Sequence, residues 1–203
     1  VFSMIYIFIM GVSMYDHVIF DVDGTLIDTG LVTLSSLQRV LKEELNRDFE
    51  IEELTFALGA TSKGTFDILG IKNADEYILK WYKYFLDMRD KVKVFDGIEE
   101  TLITLGERGI SMGIITSRTR EEFIADFVPT GLAKYFETVI CADDINRPKP
   151  DPEPMKKYIE VSGCDPSKAL YIGDTLNDMQ CTDGTGVDFA LALWGARQNE
   201  AID

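Results

Sequence analysis

Hydrophobic positions recur at two different periods along this chain, and the change of period divides it into regions. Between residues 29 and 92, apolar side chains return every three or four positions, which is the spacing of one helix face. The longest such series is Leu31, Leu34, Leu37, Val40, Leu41 and Leu45. We predict that this block is entirely helical, with helices near residues 31–45, 51–58, 65–69 and 74–90.

The rest of the chain alternates short apolar runs with amphipathic stretches. Strands are predicted at residues 17–20, 110–116, 138–141, 169–173 and 189–193, separated by helices at 97–109, 121–128, 152–162 and 176–182. This alternation is typical of a parallel sheet with helices on both faces. We therefore predict an α/β fold, a Rossmann-like doubly wound parallel sheet formed by residues 15–28 and 93–203. The helical block, residues 29–92, is inserted after the first strand.

Residues 1–14 form an almost wholly apolar N-terminal extension without a charge. The extension is shorter than the ~20 residues that span a bilayer, and it lacks the basic start and the cleavage site of a secretory signal. Three alternatives stay open: a natural start at Met14, a segment packed on the domain, or a weak membrane contact.

Composition narrows the classes of partner and of chemistry. A net charge of −15 repels nucleic acids and anionic membranes, so we expect neither a nucleic-acid partner nor stable membrane association. Three cysteines and one histidine, without metal-ligand spacing, argue against a zinc site, a disulfide scaffold and a Cys–His or Ser–His nucleophile. We expect a cytoplasmic monomer or homodimer.

Polar residues of catalytic type follow the predicted strands. They are four carboxylates, two hydroxyls and a lysine: Asp21, Asp23, Asp174, Asp178, Thr116, Ser117 and Lys149. Ligands of open parallel sheets bind beyond the carboxyl ends of the strands, so these side chains are expected to converge. Carboxylates brought together need a cation among them, and their hard oxygens suit Mg²⁺.

The charges of this set predict phosphoryl transfer. Asp21 is placed as a nucleophile that forms an aspartyl-phosphate, and Asp23, two residues on, as the acid and base at the leaving oxygen. Lys149 offsets the charge of phosphate and nucleophile, while the Thr116 hydroxyl and the Ser117 amide are expected to donate hydrogen bonds to phosphate.

In order and spacing this set resembles the haloacid dehalogenase superfamily of phosphohydrolases. The matching residues are Asp21-Val22-Asp23-Gly24-Thr25-Leu26, Thr116-Ser117, Lys149-Pro150 and Gly173-Asp174-Thr175-Leu176-Asn177-Asp178, and Trp194-Gly195 is similar to the phosphoglycolate-phosphatase-like branch. The resemblance implies Mg²⁺ held by the Asp21 side chain, the Asp23 carbonyl and Asp174. Asp178 is expected close by, as a direct or water-mediated ligand, and Gly24 is placed in the phosphate site.

The inserted helices resemble the mobile cap of that family, which closes over the site and selects the substrate. A cap loop with Thr61, Ser62 and Lys63 is expected to approach the substrate, and Lys63 would meet an anionic leaving group; a flexible turn with a solvated lysine is the alternative. Arg118 and Arg147 are further cations that lie either near the phosphate or in solvent.

These expectations lead to one function with two alternatives. We expect a Mg²⁺-dependent phosphomonoester hydrolase of small phosphorylated metabolites, such as phosphoglycolate or sugar phosphates. A phosphomutase of the same superfamily, similar to β-phosphoglucomutase, would use the same core. A non-catalytic binding protein on this fold is the alternative from another class.

Overall fold

A computed structural model describes residues 14–196, so the predicted extension lies, apart from Met14, outside the described residues. The strands are β1 (His17–Phe20), β2 (Ile27–Asp28), β3 (Lys93–Val94), β4 (Ser111–Ile115), β5 (Thr138–Ile140), β6 (Ala169–Gly173) and β7 (Asp188–Leu191). Five of them form one sheet in the order β5-β4-β1-β6-β7, and every pairing in it is parallel. The predicted fold class is confirmed.

Helices occupy the segments between the strands. They are α1 (Gly30–Leu45), α2 (Ser62–Ile68), α3 (Asp75–Leu86), α4 (Ile98–Glu107), α5 (Arg120–Glu122), α6 (Glu153–Ser162) and α7 (Leu176–Cys181), with a 3₁₀ helix at Ile51–Ala57. Within residues 14–196, no helix is long and apolar enough to cross a membrane.

The segment 121–128 was predicted as a helix, but it is not a regular α-helix. α5 passes into a π-helical turn at Phe123–Phe127 and then into a 3₁₀ turn at Val128–Thr130. Pro129 lies in the 3₁₀ turn and has no N–H to donate, which disfavours regular α-helix through this turn.

Strand β1 lies at the centre of the sheet, and its side chains alternate between two hydrophobic clusters. Val18 and Phe20 pack in a cluster with Leu102 of α4, whereas Ile19 packs in another with Met155 of α6. All of these side chains are fully buried. A sheet covered on both faces explains why its strands read as continuous apolar runs.

The helical block has a hydrophobic cluster of its own. Leu37 and Leu41 of α1 pack there with Phe66 of α2 and Trp81 of α3. Leu31, predicted on the same apolar face, is exposed. The chain enters and leaves the block through β2 and β3, which pair antiparallel; all of residues 29–92 are described, and none of them is in a strand.

Candidate active site

Three neighbouring strands end at the same edge of the sheet and place the polar residues there. In the sheet Phe20 is aligned with Ile114 of β4 on one side and with Ile172 of β6 on the other. The residues that follow these strand ends are Asp21, Thr116 and Asp174. Parallel register alone therefore brings a nucleophile candidate, a hydroxyl and a second carboxylate together.

Asp21 is buried, with one carboxylate oxygen bound and one open. Its Oδ1 lies 2.8 Å from Lys149 Nζ. Its Oδ2 accepts no hydrogen bond from any residue between 14 and 196. Burial, helped by the charges of Asp178 and Asp23, raises the pKa of Asp21 to about 7, although Lys149 opposes the rise.

Lys149 is held between two carboxylates and a phenol. Its Nζ lies 2.6 Å from Asp178 Oδ1 and 3.2 Å from the Tyr171 hydroxyl, in addition to the contact with Asp21. Burial lowers the pKa of Lys149, but the charges of Asp178 and Asp21 outweigh burial and raise it. The ammonium therefore keeps its charge while buried.

Asp178 is saturated with hydrogen bonds from the protein. Its Oδ1 also accepts from the Tyr171 hydroxyl at 2.8 Å. Its Oδ2 accepts from the Thr175 N–H at 3.0 Å and the Thr175 hydroxyl at 2.6 Å, in a capping box at the start of α7. Burial acts to raise the pKa of Asp178, but Lys149 and these donors lower it. This arrangement positions Lys149 and leaves Asp178 less free than Asp174 to bind a metal directly.

Asp174 approaches the loop after β1 closely, and Gly24 makes that approach possible. Gly24 has φ +83°, and a Cβ built there would lie 2.1 Å from Asp174 Oδ2. Asp174 Oδ1 accepts a long hydrogen bond of 3.3 Å from Thr25. Burial and the charges of Asp21 and Asp178 raise the pKa of Asp174 to about 9.

The carboxylates fit a divalent cation. One oxygen from each of Asp21, Asp174 and Asp178 lies within 4.8 Å of the others, and all three residues are buried. One lysine stands against three carboxylates here, and burial, with the charges of the neighbouring carboxylates, raises the pKa of Asp21 and of Asp174. Carboxylate oxygens are hard donors, and a site with excess negative charge suits a divalent cation such as Mg²⁺.

Asp23 forms a two-pronged ion pair with Arg118. Nε and Nη2 of Arg118 donate to Asp23 at 2.8 and 2.7 Å, and the Thr29 hydroxyl donates at 2.7 Å. Burial acts to raise the pKa of Asp23, but Arg118 outweighs it and lowers the pKa. The third donor, Nη1 of Arg118, binds Asp126 at 2.7 Å. Arg118, which the sequence left open between site and solvent, is therefore next to the predicted acid.

The two hydroxyls after β4 have different partners. Thr116 Oγ1 accepts from the Arg118 N–H at 3.2 Å and keeps its own hydrogen for a ligand. Ser117 Oγ donates to the Gly59 carbonyl at 2.8 Å, a contact between the sheet edge and the helical block.

A cavity of about 190 Å³ lies between the sheet edge and the helical block. Asp21, Asp23, Gly24 and Asp174 line the sheet side. The helical side is apolar, aromatic or small, and includes Ala57, Leu58, Ala60, Trp81, Tyr82 and Phe85.

The predicted cap loop contributes only one of its three residues to the cavity. Ser62 lines it, whereas the Thr61 hydroxyl accepts from the Gly64 N–H as the N-cap of α2. Lys63 is exposed and does not line the cavity. Arg147 is also exposed and pairs with Asp151 and Glu153.

Two contributors to the site are not evident from the sequence, and the Trp194–Gly195 pair noted there has a supporting role. Tyr171 looks like one more apolar residue of a buried strand, and Asp126 lies in a segment predicted as plain helix. Trp194 donates from its indole to the Thr25 carbonyl at 2.9 Å. A Cβ on Gly195 would lie 1.6 Å from the Gly24 carbonyl, so both members of the Trp194–Gly195 pair support the loop after β1.

A family model for haloacid dehalogenase-like hydrolases matches residues 18–192. The chain belongs to this family, and with the site described above it is a phosphatase. The pyrophosphatase PpaX of Bacillus velezensis is 32% identical over 178 residues, 87% of this chain and 82% of the relative. That of Oceanobacillus iheyensis is 31% identical over 186 residues, 91% of this chain and 86% of the relative.

Solved structures agree with this fold. A Lactobacillus plantarum protein, provisionally described as a phosphoglycolate phosphatase, superposes with a TM-score of 0.82 at 27% identity. The match covers 91% of this chain and 89% of that protein. The family resemblance inferred from the motifs is thereby confirmed.

Proposed function

We propose that this protein is a Mg²⁺-dependent phosphomonoester hydrolase of small phosphorylated metabolites that works through an aspartyl-phosphate. The observation that carries the proposal is the buried Asp21, which lines the cavity, with one carboxylate oxygen held by Lys149 and the other without a hydrogen bond from the described residues. A fixed anion with a free lone pair beside a buried cation is suited to attack on phosphorus.

The metal would be held by the Asp21 and Asp174 carboxylates and the Asp23 carbonyl. When bound, it supplies positive charge that reduces the repulsion between the phosphate and Asp21. Asp178 would not bind the metal directly in this proposal, because each of its two oxygens already accepts two hydrogen bonds.

In the first half of the reaction, Asp21 Oδ2 attacks phosphorus and forms the acyl-phosphate bond. The bond between phosphorus and the leaving oxygen breaks, and Asp23 gives that oxygen a proton. Lys149 offsets the charge on Asp21 and on the phosphoryl group, and Thr116 donates its free hydroxyl hydrogen to a phosphoryl oxygen.

In the second half, Asp23 takes a proton from a water molecule as that water attacks phosphorus. The acyl-phosphate bond breaks, inorganic phosphate leaves, and Asp21 is a carboxylate again. Asp23 serves both halves only if it is released from Arg118 and takes up a proton, because the ion pair engages both of its oxygens and lowers its pKa.

The helical block acts in this proposal as a cap, and β2 and β3 are the connections about which it would open. A cavity of about 190 Å³ limits the substrate to a small molecule. Pyrophosphate and phosphoglycolate, which the names of the relatives suggest, are the first substrates to test, with sugar phosphates next. The net charge of −15 argues against nucleic acids and anionic membranes as partners, and we expect a free cytoplasmic metabolite instead.

The test is release of inorganic phosphate from a panel of these compounds, with Mg²⁺ and with a chelator. We expect turnover that needs the metal and that is lost in Asp21→Asn, which keeps the shape of the side chain and removes the nucleophile. Equal release by wild type and Asp21→Asn would contradict the proposal. Transfer of phosphate between two positions of a hexose, with little release, would instead identify a phosphomutase.

A further inference from the structure

We propose that Arg118 is the receptor for a negative charge carried by the leaving group, and that binding this charge releases Asp23 for catalysis. The proposal rests on the proposed function and deepens it, because it names a substrate class. That class is phosphate compounds whose leaving group bears its own carboxylate or phosphoryl group.

Arg118 has the right position and charge for this role. It lines the cavity together with Asp21 and Asp23, and its side chain is only 10% exposed. Among the described residues that line the cavity, Arg118 alone is cationic. Lys149 is not among them and is already held by two carboxylates. An anionic leaving group in this cavity has one side chain to pair with.

The guanidinium is fixed from several directions. The main chain of Arg118 makes two hydrogen bonds: its N–H donates to Thr116 Oγ1, and its carbonyl accepts from the Ala142 N–H at 2.8 Å. The guanidinium carbon lies 5.4 Å from the centre of the Phe85 ring. Asp126 holds Nη1 and is itself approached by the Tyr82 hydroxyl at 3.4 Å. Arg118 therefore stays in place when one of its partners leaves.

Asp23 is the exchangeable partner. It binds Nε and Nη2 in the fork geometry that a carboxylate or a phosphoryl group of a ligand also adopts. Exchanging one anion for another keeps the charge of Arg118 compensated, so the exchange leaves no unpaired buried cation. A neutral leaving group offers no such replacement and leaves Asp23 bound. Thr29 continues to hold Asp23 Oδ1 near the reacting atoms.

The experiment compares phosphoglycolate with its amide, which has nearly the same shape but no charge on the leaving group. kcat and KM are measured for both substrates in wild type, Arg118→Gln and Arg118→Lys. Arg147→Gln is the matched control, because Arg147 is 70% exposed and pairs with carboxylates outside the cavity. Thermal melting of each variant monitors folding, and Arg118→Lys provides a second, less disruptive variant.

We expect wild type to prefer the acid in kcat/KM by about tenfold or more, the scale of a hydrogen bond to a charged group. Arg118→Gln should abolish this preference, Arg118→Lys should keep part of it, and Arg147→Gln should leave it unchanged. A wild type without the preference, or a preference that survives in both Arg118 variants, would overturn the proposal. Absence of phosphate release in wild type from these two substrates and from the whole panel named above would instead remove the proposed function, and this inference with it.

Discussion

The two walls of the cavity are built in different ways. On the sheet side, Asp21 lines the cavity and Lys149 and Asp178 lie behind it, and the side chains of all three are at most 3% exposed. Lys149 joins the two carboxylates. On the helical side, Trp81 and Phe85 are buried aromatic residues of α3 that also line the cavity. One wall holds charges in fixed places, and the other supplies shape.

This difference separates two kinds of requirement. A buried charge lowers the free energy of unfolding when its partner is removed. A substitution on the sheet side therefore changes both the catalytic groups and the stability of the fold. An apolar wall tolerates changes of shape at a smaller cost and affects which molecule fits. We therefore expect substitutions on the sheet side to change kcat and folding together, and those on the helical side to change mainly substrate preference.

The largest effect is expected for Lys149→Met. The change leaves Asp21 and Asp178 without their buried cation, and breaking such a pair costs about 3–5 kcal/mol in the free energy of unfolding. Phosphate release should fall by about a thousandfold or more, because a group that acts on the transition state is lost. Urea unfolding and a phosphate-release assay measure the two effects.

The double variant Lys149→Met with Asp178→Asn is the control for this coupling. It removes one of the stranded charges, so we expect part of the lost stability to return while activity stays absent. Recovery of activity together with stability would show that Lys149 serves the fold alone.

The next effect in size is expected for Gly24→Ala. A methyl group at this position would displace Asp174, and we expect affinity for the divalent ion to fall by roughly 10–100-fold, as when the supports of metal ligands are altered. Activity measured against Mg²⁺ concentration gives the shift.

Gly109→Ala is the matched control for Gly24→Ala. Gly109 has φ +72° and nothing within 4 Å of a Cβ built on it, so both variants bear the backbone strain of about 1–2 kcal/mol. Only Gly24→Ala should shift the metal dependence. A similar shift in Gly109→Ala would assign the effect to general loss of stability.

The same contrast explains what could be predicted from the sequence. The sheet and its edge follow from short apolar runs and from the rule that parallel strands end at one edge, so Asp21, Thr116 and Asp174 were predicted together. The supporting contacts do not follow, because Tyr171 reaches Lys149 only through the folded sheet.

The helical wall was harder to predict for a physical reason. Helical spacing identifies α1 and α3. It does not show which apolar residues line the cavity and which pack in the hydrophobic cluster of the helical block. Trp81 belongs to both. Lys63, for which a contact with the leaving group and a solvated turn were the alternatives, is exposed and does not line the cavity. Among the described residues, the cation that lines the cavity is Arg118, which follows β4.

A moderate effect confined to the helical wall is expected for Trp81→Phe. The indole N–H donates to the Thr33 carbonyl at 3.1 Å and to Ser36 Oγ at 3.0 Å, and its loss should cost about 1–3 kcal/mol of stability. We expect kcat/KM to fall several-fold for bulky sugar phosphates and to change little for methyl phosphate. Tyr77→Phe, in the same cluster but outside the cavity, should leave both unchanged.

The smallest effect is expected for Ser117→Ala, which tests where the two walls meet. The variant keeps the backbone N–H predicted to bind phosphate and loses the hydroxyl that donates to the Gly59 carbonyl. If the side chain serves only the contact with the helical block, KM should rise about two- to fivefold, the scale of one neutral hydrogen bond, while kcat changes little. A fall in kcat without a change in KM would place the hydroxyl in the chemistry of the sheet wall. The boundary between the two walls would then lie beyond Ser117, at the block itself.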